Sequence, residues 1–377
     1  MRIGFDGKRA IQNFTGLGNY SRYIVDILCH FYPTNEYILY APKKQESKRL
    51  NQLTEQYQQL TLAYPATFLW KKLRSLWRIW GVSSELKKEG IDIFHGLSNE
   101  LPLNIHKSGI KSIVTIHDLI FLRYPQYYHF IDRKIYAYKF RKACENADRI
   151  IAISECTKRD IIQYFNIPNE KIEVVYQGCD ISFTQPVTEE KKLEVRAKYK
   201  LPDHYVLNVG SIEERKNILV AVQALRMLPQ HIHLVIIGRR TSYTDKVEHF
   251  IKENGLSKRV HIINNVPFSD LPALYQSAEI FVYPSRFEGF GIPIIEALYS
   301  GIPVIAATGS CLEEAGGPDS IYVDPDDVEG VANAIRLIYS DEEKRKNIVK
   351  QGRDFVKRFS DKQQSEEIIT VYKKLIQ

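Results

Sequence analysis

Short apolar runs rich in β-branched residues alternate with stretches of helical periodicity along almost the whole chain. The runs predict buried strands, and the stretches in which apolar residues recur every three or four positions predict helices. Such alternation is typical of parallel sheets that carry helices on both faces. The predicted strands are 2–6, 37–40, 91–94, 112–116, 149–153, 171–175, 205–209, 233–237, 260–263, 280–283, 303–306 and 320–323, and the main helices are 18–31, 132–146, 157–165 and 189–199.

A break in this alternation near residue 185 divides the chain. The residues from Cys179 to Pro186 show neither periodicity, and a charged helix precedes the second group of strands. A dozen strands are too many for one compact open sheet, so two α/β domains are predicted, 1–185 and 186–360. A final amphipathic helix, 361–377, has no strand after it, and the sequence allows it to pack on either domain, including back on the first.

Composition excludes several classes of protein. The chain has 377 residues, of which 44% are apolar and 26% charged, as expected for two globular domains. The first residues turn polar too early for a signal peptide, and no stretch approaches the length of about eighteen apolar residues that spans a bilayer. The five cysteines are scattered and lack C-x-x-C spacing, which indicates packing residues in a reducing compartment. We therefore expect a cytoplasmic protein.

Charge is distributed unevenly along the chain. Lys and Arg number 52 against 45 Asp and Glu, a formal net charge of +7. Residues 1–150 hold 23 basic and 13 acidic side chains, whereas residues 151–377 hold 29 and 32. The excess belongs to the first domain, where it favours an anionic partner. No recognisable nucleic-acid module accompanies it, so a nucleic-acid partner is not predicted.

The stretch from Pro284 to Ala297, P-S-R-F-E-G-F-G-I-P-I-I-E-A, carries the most specific chemistry. A glycine-containing loop joins a strand to a helix that begins near Pro293, and backbone N–H groups at such a position bind anionic oxygens. Glu288 lies in the loop and Glu296 about one turn inside the helix. Carboxylates accept strong hydrogen bonds from hydroxyls. A sugar joined to a nucleoside diphosphate offers hydroxyls at both ends, so the two carboxylates suit separate parts of one such ligand.

A second motif follows the first strand of the second domain. Gly210 closes this strand, and Arg215 and Lys216 stand at the start of the next helix. Open α/β sheets bind ligands at the carboxyl ends of their strands, and two cations there can neutralise a diphosphate without a metal ion. A solvated first helical turn is the alternative interpretation of the Arg-Lys pair.

The sequence E-G-F-G-I-P-I-I-E over 288–296 resembles the E-x7-E signature of family four of the retaining glycosyltransferases. Nearly the whole chain shares the resemblance, because six further segments match the family: 14–20 (F-T-G-L-G-N-Y), 115–118 (T-I-H-D), 153–157, 175–178, 309–314 and 323–325. The resemblance implies the GT-B fold, in which two Rossmann-like, doubly wound α/β domains face each other across a cleft. It assigns the acceptor to the first domain and the nucleotide sugar to the second.

The resemblance also implies roles for individual residues. Glu288 is expected to contact hydroxyls of the donor sugar and Glu296 the ribose, while Lys216 and Arg215 bind the diphosphate. His117 is expected near the reacting sugar. The catalytic set is therefore His117, Glu288 and Lys216, and the donor-binding set is Gly16, Gly18, Ser211, Arg215, Lys216, Phe290, Gly291, Ile292 and Glu296.

Two positions depart from the family pattern. Many relatives carry an arginine where this chain has Ser211, so one phosphate cation is either missing or replaced by Arg215. Gln177 occupies a place often held by asparagine. No cluster of His, Cys or Glu has metal-ligand spacing, and the Asp324-Pro325-Asp326 tripeptide is interpreted as a turn. We expect no metal and no cofactor, with the nucleotide-diphosphate sugar as substrate.

The predicted function is metal-independent transfer of a hexose, with retention, from a nucleotide sugar to a glycan or lipid-linked acceptor in cell-surface polysaccharide synthesis. The segments 117–120 and 210–217 are most similar to those of mannosyltransferases that use GDP-mannose. Another GT-B enzyme, such as a nucleotide-sugar epimerase or a phosphorylase, is the alternative, and a non-catalytic nucleic-acid binder rests on charge alone. A dehydrogenase is disfavoured because Ser21 takes the last glycine place of the dinucleotide fingerprint.

The segment 69–80 holds all three tryptophans and alternates apolar with basic residues. Its predicted apolar face consists of Leu69, Leu73, Leu76 and Trp80, flanked by Trp70 and Trp77, and its basic face of Lys71, Lys72, Arg74 and Arg78. Such a helix suits the surface of an anionic membrane, where each cation contributes about 1 kcal/mol. Packing on the first sheet explains the same pattern. Membrane binding would make the protein peripheral at the inner membrane face.

Overall fold

The computed structural model describes residues 1–13, 15–45 and 48–377, and only the backbone of Lys48 and Arg49. Phe14 of the predicted glycine loop lies outside the described residues. The chain divides into two compact units, unit 1 with Met1–Gln177 and Ser360–Gln377, and unit 2 with Gly178–Phe359. The division falls after Gln177, before the boundary predicted near residue 185, and the last helix belongs to unit 1.

Unit 1 contains a seven-stranded parallel sheet in the order β3-β2-β1-β4-β5-β6-β7. Its strands are β1 (Arg2–Asp6), β2 (Glu36–Tyr40), β3 (Leu60–Ala63), β4 (Ile93–Gly96), β5 (Lys111–Ile116), β6 (Arg149–Ala152) and β7 (Ile172–Val174). Helices cover it at Lys8–Gln12, Gly16–Phe31, Lys48–Gln56, Phe68–Lys72, Arg74–Leu76, Val82–Lys88, Ile120–Arg123, Phe130–Asn146, Glu155–Phe165 and Asp361–Ile376.

Apolar side chains fill both faces of this sheet. Along β2, Tyr37 and Leu39 join one buried cluster, while Ile38 and Tyr40 join another. Successive side chains of a strand point to opposite faces, so the two clusters lie on opposite sides of the sheet. This is why the strands appear in the sequence as continuous apolar runs rather than as alternating ones.

Unit 2 contains a six-stranded parallel sheet in the order β10-β9-β8-β11-β12-β13. Its strands are β8 (Tyr205–Val209), β9 (His233–Ile237), β10 (Val260–Ile263), β11 (Ile280–Tyr283), β12 (Val304–Ala307) and β13 (Ile321–Val323). Its helices are Glu189–Tyr199, Ile218–Ala224, Ser242–Glu253, Leu271–Gln276, Ile292–Ser300, Leu312–Gly316, Val328–Ser340 and Glu342–Val356.

The prediction of two doubly wound α/β sheets is confirmed. All twelve predicted strands are present with small shifts at their ends, and the strand that the sequence pattern missed is β3 (Leu60–Ala63). This strand lies at the edge of its sheet, where only Leu60 is fully buried and Thr61 is exposed. A short, half-exposed edge strand gives little apolar signal.

The C-terminal helix Asp361–Ile376 packs into the core of unit 1. Its predicted apolar stripe consists of Ile368, Ile369, Val371, Tyr372 and Leu375; the first four are buried there, and Leu375 packs against the same cluster while partly buried. At its first turn, the Tyr23 hydroxyl donates to the Asp361 carboxylate over 2.7 Å. The amphipathic stripe therefore serves packing.

The five cysteines are buried and carry free thiols. Within the described ranges, no helix combines the length and the apolar content needed to cross a membrane.

Candidate active site

The two motifs of unit 2 meet at one edge of its sheet. Strands β8 and β11 are neighbours, with Val206 opposite Ile280, although two other strands separate them in the chain. The strand order therefore reverses between them, and open α/β sheets bind ligands at the carboxyl ends of the strands at such a point. The loop that contains Arg215 and Lys216 follows β8, and the loop that contains Glu288 follows β11.

The Glu288 carboxylate forms ion pairs with both predicted cations. The Lys216 Nζ lies 2.8 Å from Oε1 and the Arg215 Nη1 lies 2.8 Å from Oε2. The hydroxyls of Tyr283 and Ser285 also donate to Oε1, over 3.0 and 2.8 Å. The three charged side chains are only 13–17% exposed. We call Arg215, Lys216 and Glu288 the charged triad.

The charged triad stays ionised at neutral pH. Burial would raise the pKa of Glu288, but Lys216 and Arg215 lower it to about 2. Burial likewise would lower the pKa of each cation, and the Glu288 carboxylate raises both instead. Burial and the same carboxylate raise the pKa of Tyr283, so its hydroxyl stays protonated. The site thus offers two fixed positive charges and one negative charge.

Asn217 fixes the loop that carries the two cations. Its backbone is left-handed, with φ of 55°, a conformation that asparagine tolerates better than most residues. Its side-chain amide donates to the carbonyl oxygens of Pro284 and Pro325 over 3.3 and 2.6 Å. The Arg286 N–H also donates to the Arg215 carbonyl over 2.9 Å. These bonds join the loops after β8 and β11 and hold the cations beside Glu288.

Ser211 does not supply a charge at the position where relatives carry arginine. Its hydroxyl donates to the Glu213 carboxylate over 2.6 Å. Arg215 and Arg239 also approach Glu213, at 3.7 and 3.8 Å. Arg239 follows β9, and its contact with Glu213 makes it a third cation close to the loop, with a side chain that is 76% exposed. Arg239 is not among the predicted donor-binding residues.

Glu296 lies on helix Ile292–Ser300, one turn from its start, as predicted. The buried Tyr275 hydroxyl donates to its Oε2 over 2.8 Å. Burial raises the pKa of Glu296 to about 7, although the Tyr275 hydrogen bond opposes the shift. Unlike Glu288, this carboxyl therefore titrates close to neutral pH.

Phe290 and Gly291 connect the Glu288 loop to this helix. Phe290 is buried against Phe359, with ring centroids 5.5 Å apart. A Cβ added at Gly291 would lie 2.9 Å from the Cβ of Ala315, so the backbone has no room for a side chain here. Helix Ile292–Ser300 begins at the next residue.

His117 lies in unit 1, directly after β5, and both of its ring nitrogens are engaged. Its Nε2 lies 2.9 Å from the Leu97 carbonyl, which can only accept, so this nitrogen carries the proton. Its Nδ1 then accepts from the side-chain amide of Gln177 over 3.2 Å. Burial lowers the pKa of His117 to about 4. The ring is therefore neutral, and acid–base chemistry through it would require one of these bonds to break.

Gly16 and Gly18 lie in the first turn of helix Gly16–Phe31. Nothing surrounds Gly16 within 4 Å of an added Cβ, whereas a Cβ at Gly18 would meet the Asn13 carbonyl oxygen at 1.8 Å. The second glycine therefore permits a close backbone contact, while the first leaves open space.

Gly18→Ala should destabilise the protein by about 2 kcal/mol, because the added methyl group forces the Asn13 backbone away. Gly16→Ala is the matched control and should leave the free energy of unfolding unchanged or slightly raised. Urea unfolding measures both. Equal effects of the two substitutions would contradict the steric explanation.

The corresponding edge of the unit 1 sheet holds an ion-pair cluster. Strand order reverses between β1 and β4, and Asp6 ends β1. Arg78 binds the Asp6 carboxylate and lies 2.6 Å from Glu100. Arg78 comes from the tryptophan-rich segment, which is thereby attached to this edge.

Residues 68–81 divide their aromatic and aliphatic side chains between core and solvent. They form three short turns, Phe68–Lys72, Arg74–Leu76 and the π-helical Trp77–Gly81, instead of the predicted single helix. Trp77 is fully buried in the core, and Trp70 packs against the same cluster. Outward, Phe68, Leu69, Leu73, Leu76 and Trp80 are 39–73% exposed. Packing is thereby confirmed for the two tryptophans, and the membrane contact stays a prediction.

The structure brings together Arg215, Lys216 and Glu288 and places Glu296, Phe290, Gly291 and Ile292 on the adjoining helix start, while Gly16, Gly18 and His117 belong to unit 1. Sequence reasoning missed Tyr283, Tyr275 and Asn217 as partners of these residues. Only the position of Tyr283 at the end of a strand could have indicated its role.

The Asp324-Pro325-Asp326 segment forms the predicted turn, in which the Asp326 N–H donates to Asp324 over 2.9 Å. No group of three potential metal ligands occurs among the residues that the structure describes.

Comparison with known proteins identifies the family. The protein-family model described as Glycosyltransferase Family 4 matches residues 22–183. A second family model, Glycosyl transferases group 1, matches residues 189–355. O-antigen chain mannosyltransferase B of Escherichia coli is 31% identical over 75% of this chain and 74% of its own length. O-antigen chain mannosyltransferase RfbU of Salmonella typhimurium is 29% identical, and the match covers 60% of either chain.

Solved structures agree on the fold. HepE of Anabaena, in complex with UDP and glucose, has a TM-score of 0.76 and 18% identity over 100% of both chains. The likeness at this identity concerns the fold, which is the GT-B arrangement of two α/β sheets. The chain therefore belongs to family four of the glycosyltransferases, has their GT-B fold and is similar to bacterial mannosyltransferases.

Proposed function

We propose that the protein transfers mannose from GDP-mannose to a glycan or lipid-linked acceptor in cell-surface polysaccharide synthesis, with retention and without a metal ion. The observation that carries the proposal is the charged triad at the point where the strand order of unit 2 reverses. Its two cations suit a diphosphate. The names of the two relatives support mannose as the sugar.

In this proposal the diphosphate takes a place beside Lys216 and Arg215, which Glu288 neutralises in the free protein. The Glu288 carboxylate then accepts hydrogen bonds from the sugar hydroxyls. Breaking the sugar–phosphate bond places negative charge on the departing diphosphate, and the fixed cations stabilise it. Electrostatic stabilisation of this kind is usually the largest single contribution to catalysis.

Retention follows if the acceptor hydroxyl attacks the face from which the diphosphate leaves. The new bond joins the acceptor oxygen to the anomeric carbon, and the hydroxyl proton passes to the leaving phosphate oxygen. Glu288 is a poor nucleophile because two cations and two hydroxyls hold its carboxylate. Mass spectrometry of the intact protein during turnover should find no glycosyl-enzyme, and a trapped adduct would overturn this mechanism.

The donor is tested first by thermal shift with GDP, UDP, dTDP and ADP. GDP should raise the melting temperature most, and a larger shift with UDP, which the HepE structure contains, would overturn GDP-mannose. Incubation with GDP-mannose and an acceptor should then give a mannosylated product. Free nucleotide with an altered sugar would instead favour the epimerase alternative.

Nucleotide binding should depend on pH through Glu296. Its folded pKa is raised to about 7, so the ribose meets a neutral carboxyl below this pH and a carboxylate, the better acceptor, above it. GDP affinity should therefore rise between pH 6 and 8, as measured by calorimetry. Glu296→Gln should flatten this part of the profile, because glutamine does not ionise. Ionisation of the nucleotide itself is common to both proteins, so the difference between the two profiles reports on Glu296. Parallel profiles would contradict the ribose assignment.

The same carboxyl predicts a pH dependence of stability. Its pKa is higher in the folded protein than in an unfolded chain, so the folded state binds the proton more tightly. Its contribution to the free energy of unfolding is full at acidic pH and is lost as pH rises towards 7. Urea unfolding at pH 5 and pH 8 measures this loss of stability in the wild type. In Glu296→Gln the loss due to this carboxyl should be absent.

Unit 1, the proposed acceptor-binding unit, is proposed to work at the cytoplasmic face of the inner membrane. Residues 69–80 would contact anionic lipid there. The excess of basic residues in the first part of the chain supports this location.

A further inference from the structure

We propose that four buried side chains of unit 1, Tyr20, His95, Thr115 and Tyr372, form a hydrogen-bonded network that positions His117 for sugar transfer. We call these four side chains the buried network. The inference rests on the proposed function and on the expected place of His117 near the reacting sugar. It gives the C-terminal helix, which carries Tyr372, a part in the reaction beyond packing.

His95 lies at the centre of the buried network. Its Nδ1 lies 2.7 Å from the Tyr372 hydroxyl, and its Nε2 lies 2.8 Å from the Thr115 hydroxyl. The Thr115 hydroxyl also lies 3.4 Å from the hydroxyl of Tyr20. The network therefore joins strands β4 and β5 to the helix that begins at the glycine loop and to the C-terminal helix.

Burial leaves the network little freedom. His95, Thr115 and Tyr372 are fully buried, and Tyr20 is 6% exposed. Burial lowers the pKa of His95 to about 3, so its ring is neutral and has one N–H and one bare nitrogen. One neighbouring hydroxyl must therefore donate to the ring and the other must accept from it. Removing either hydroxyl leaves a ring nitrogen without its partner in the core, which costs free energy, so the intact network holds the ring in one position.

The ends of β4 and β5 transmit this position to His117. His117 follows Thr115 by two residues, as Leu97 follows His95, and side chains two residues apart along a strand point to the same side of the sheet. The bond between His95 and Thr115 thus lies one step before the bond from the His117 Nε2–H to the Leu97 carbonyl, which spans 2.9 Å. Both bonds join the same two strand ends, so a displacement of His95 displaces the acceptor of the His117 ring.

Tyr20 contacts the His117 ring directly. The two ring centroids lie 4.6 Å apart and the ring planes meet at 89°, an edge-to-face arrangement. The Thr115 hydroxyl holds the outer end of the Tyr20 side chain. The bond from the Gln177 amide to the His117 Nδ1 comes from outside the network. The network thus reaches His117 both through the strand ends and through the Tyr20 ring.

Two conservative substitutions test the network. Tyr372→Phe and Thr115→Val each remove one hydroxyl and keep the shape of the side chain. Each should lower kcat for mannose transfer about tenfold, because a small displacement of a positioned group slows the reaction strongly. The GDP-induced thermal shift should not change, since the charged triad lies in unit 2. Thr115→Ser keeps the hydroxyl and should retain the wild-type kcat.

Tyr37→Phe is the matched control for the loss of a buried hydroxyl. Tyr37 is fully buried in the same core cluster as Tyr372, but its hydroxyl donates to the Leu28 carbonyl over 2.9 Å and has no bond to the network. Urea unfolding should show a loss of stability similar to that of Tyr372→Phe, while kcat stays at the wild-type value. An equal loss of kcat in both variants would overturn the inference, because a general loss of core packing would then explain it.

A double-mutant cycle tests whether the network acts through His117. In a His117→Ala background, Tyr372→Phe should change the residual kcat less than about twofold, because the group that the network positions is gone. An undiminished tenfold loss in that background would overturn the inference, as would a wild-type kcat in Tyr372→Phe alone.

A spectroscopic measurement separates this inference from the proposed function. NMR of the ring nitrogens in histidine-labelled full chain, without substrate, should show shifted His117 signals in Tyr372→Phe and in Thr115→Val, and unchanged signals in Tyr37→Phe. Unchanged His117 signals in all three variants would overturn the inference, whatever the transfer assay gives. Shifted signals in a protein that transfers no mannose from GDP-mannose would instead overturn the proposed function and support the hold of the network on His117.

Discussion

Replacing Lys216 with alanine should reduce kcat roughly 100- to 1,000-fold, the usual effect of removing one group that stabilises charge in a transition state. Its ammonium lies 2.8 Å from Glu288 and 2.9 Å from the Tyr283 hydroxyl, so its position is fixed before the donor binds. Its side chain runs over Gly210, where the missing Cβ leaves it space. Steady-state transfer of mannose from GDP-mannose measures the effect.

Two controls separate chemistry from folding. Lys346→Ala removes a lysine that is 71% exposed and should keep full activity. The melting temperature of Lys216→Ala should stay close to that of the wild type, because Arg215 still neutralises Glu288. If Lys216→Ala retains more than a tenth of the wild-type kcat, the diphosphate site is assigned to the wrong cation.

Glu288→Gln should abolish most turnover while preserving nucleotide binding. The amide keeps the shape of the side chain but cannot accept sugar hydroxyls with a full negative charge. GDP should bind as well as before or more tightly, since the diphosphate no longer competes with a carboxylate for Lys216 and Arg215. Calorimetry with GDP and the transfer assay measure the two effects.

The same variant should be less stable without ligand. Removing the negative charge leaves two largely buried cations without a partner, which costs about 3 kcal/mol, the low end for such pairs because the groups keep some exposure. GDP should restore much of this loss by supplying the missing charge. Glu296→Ala should show the opposite pattern, with nucleotide binding lost first. The reverse ranking of the two glutamates would refute their assignment to sugar and ribose.

The charged residues of the candidate site in unit 2 were predictable because they lie in two short sequence motifs. Arg215 and Lys216 lie in the loop after one buried strand, and Glu288 lies in the loop after another, with Glu296 in the helix that follows this loop. Parallel strands end at the same edge of a sheet, so residues after neighbouring strands meet. The ion pairs themselves were not predictable, since they depend on β8 lying beside β11.

His117 shows where sequence reasoning was insufficient. Its place after β5 follows from the pattern, but its hydrogen bonds to Leu97 and Gln177 join segments far apart in the chain. Burial, which lowers the pKa of His117 to about 4, leaves the ring neutral, and the residue type alone does not reveal it. Likewise, the titration of Glu296 near neutral pH follows from burial beside Tyr275, which no spacing reveals.

The sequence by itself determined two parallel α/β sheets, the glycosyltransferase motifs and the charge excess of the first 150 residues, because periodicity, turn residues and charge are local properties. Only the tertiary structure decided which side of residues 68–81 packs and which faces solvent, which sheet the last helix covers, and which partners each charged group has. Burial and pairing depend on contacts between distant segments. They set the pKa values and the exposed surface on which the proposed chemistry depends.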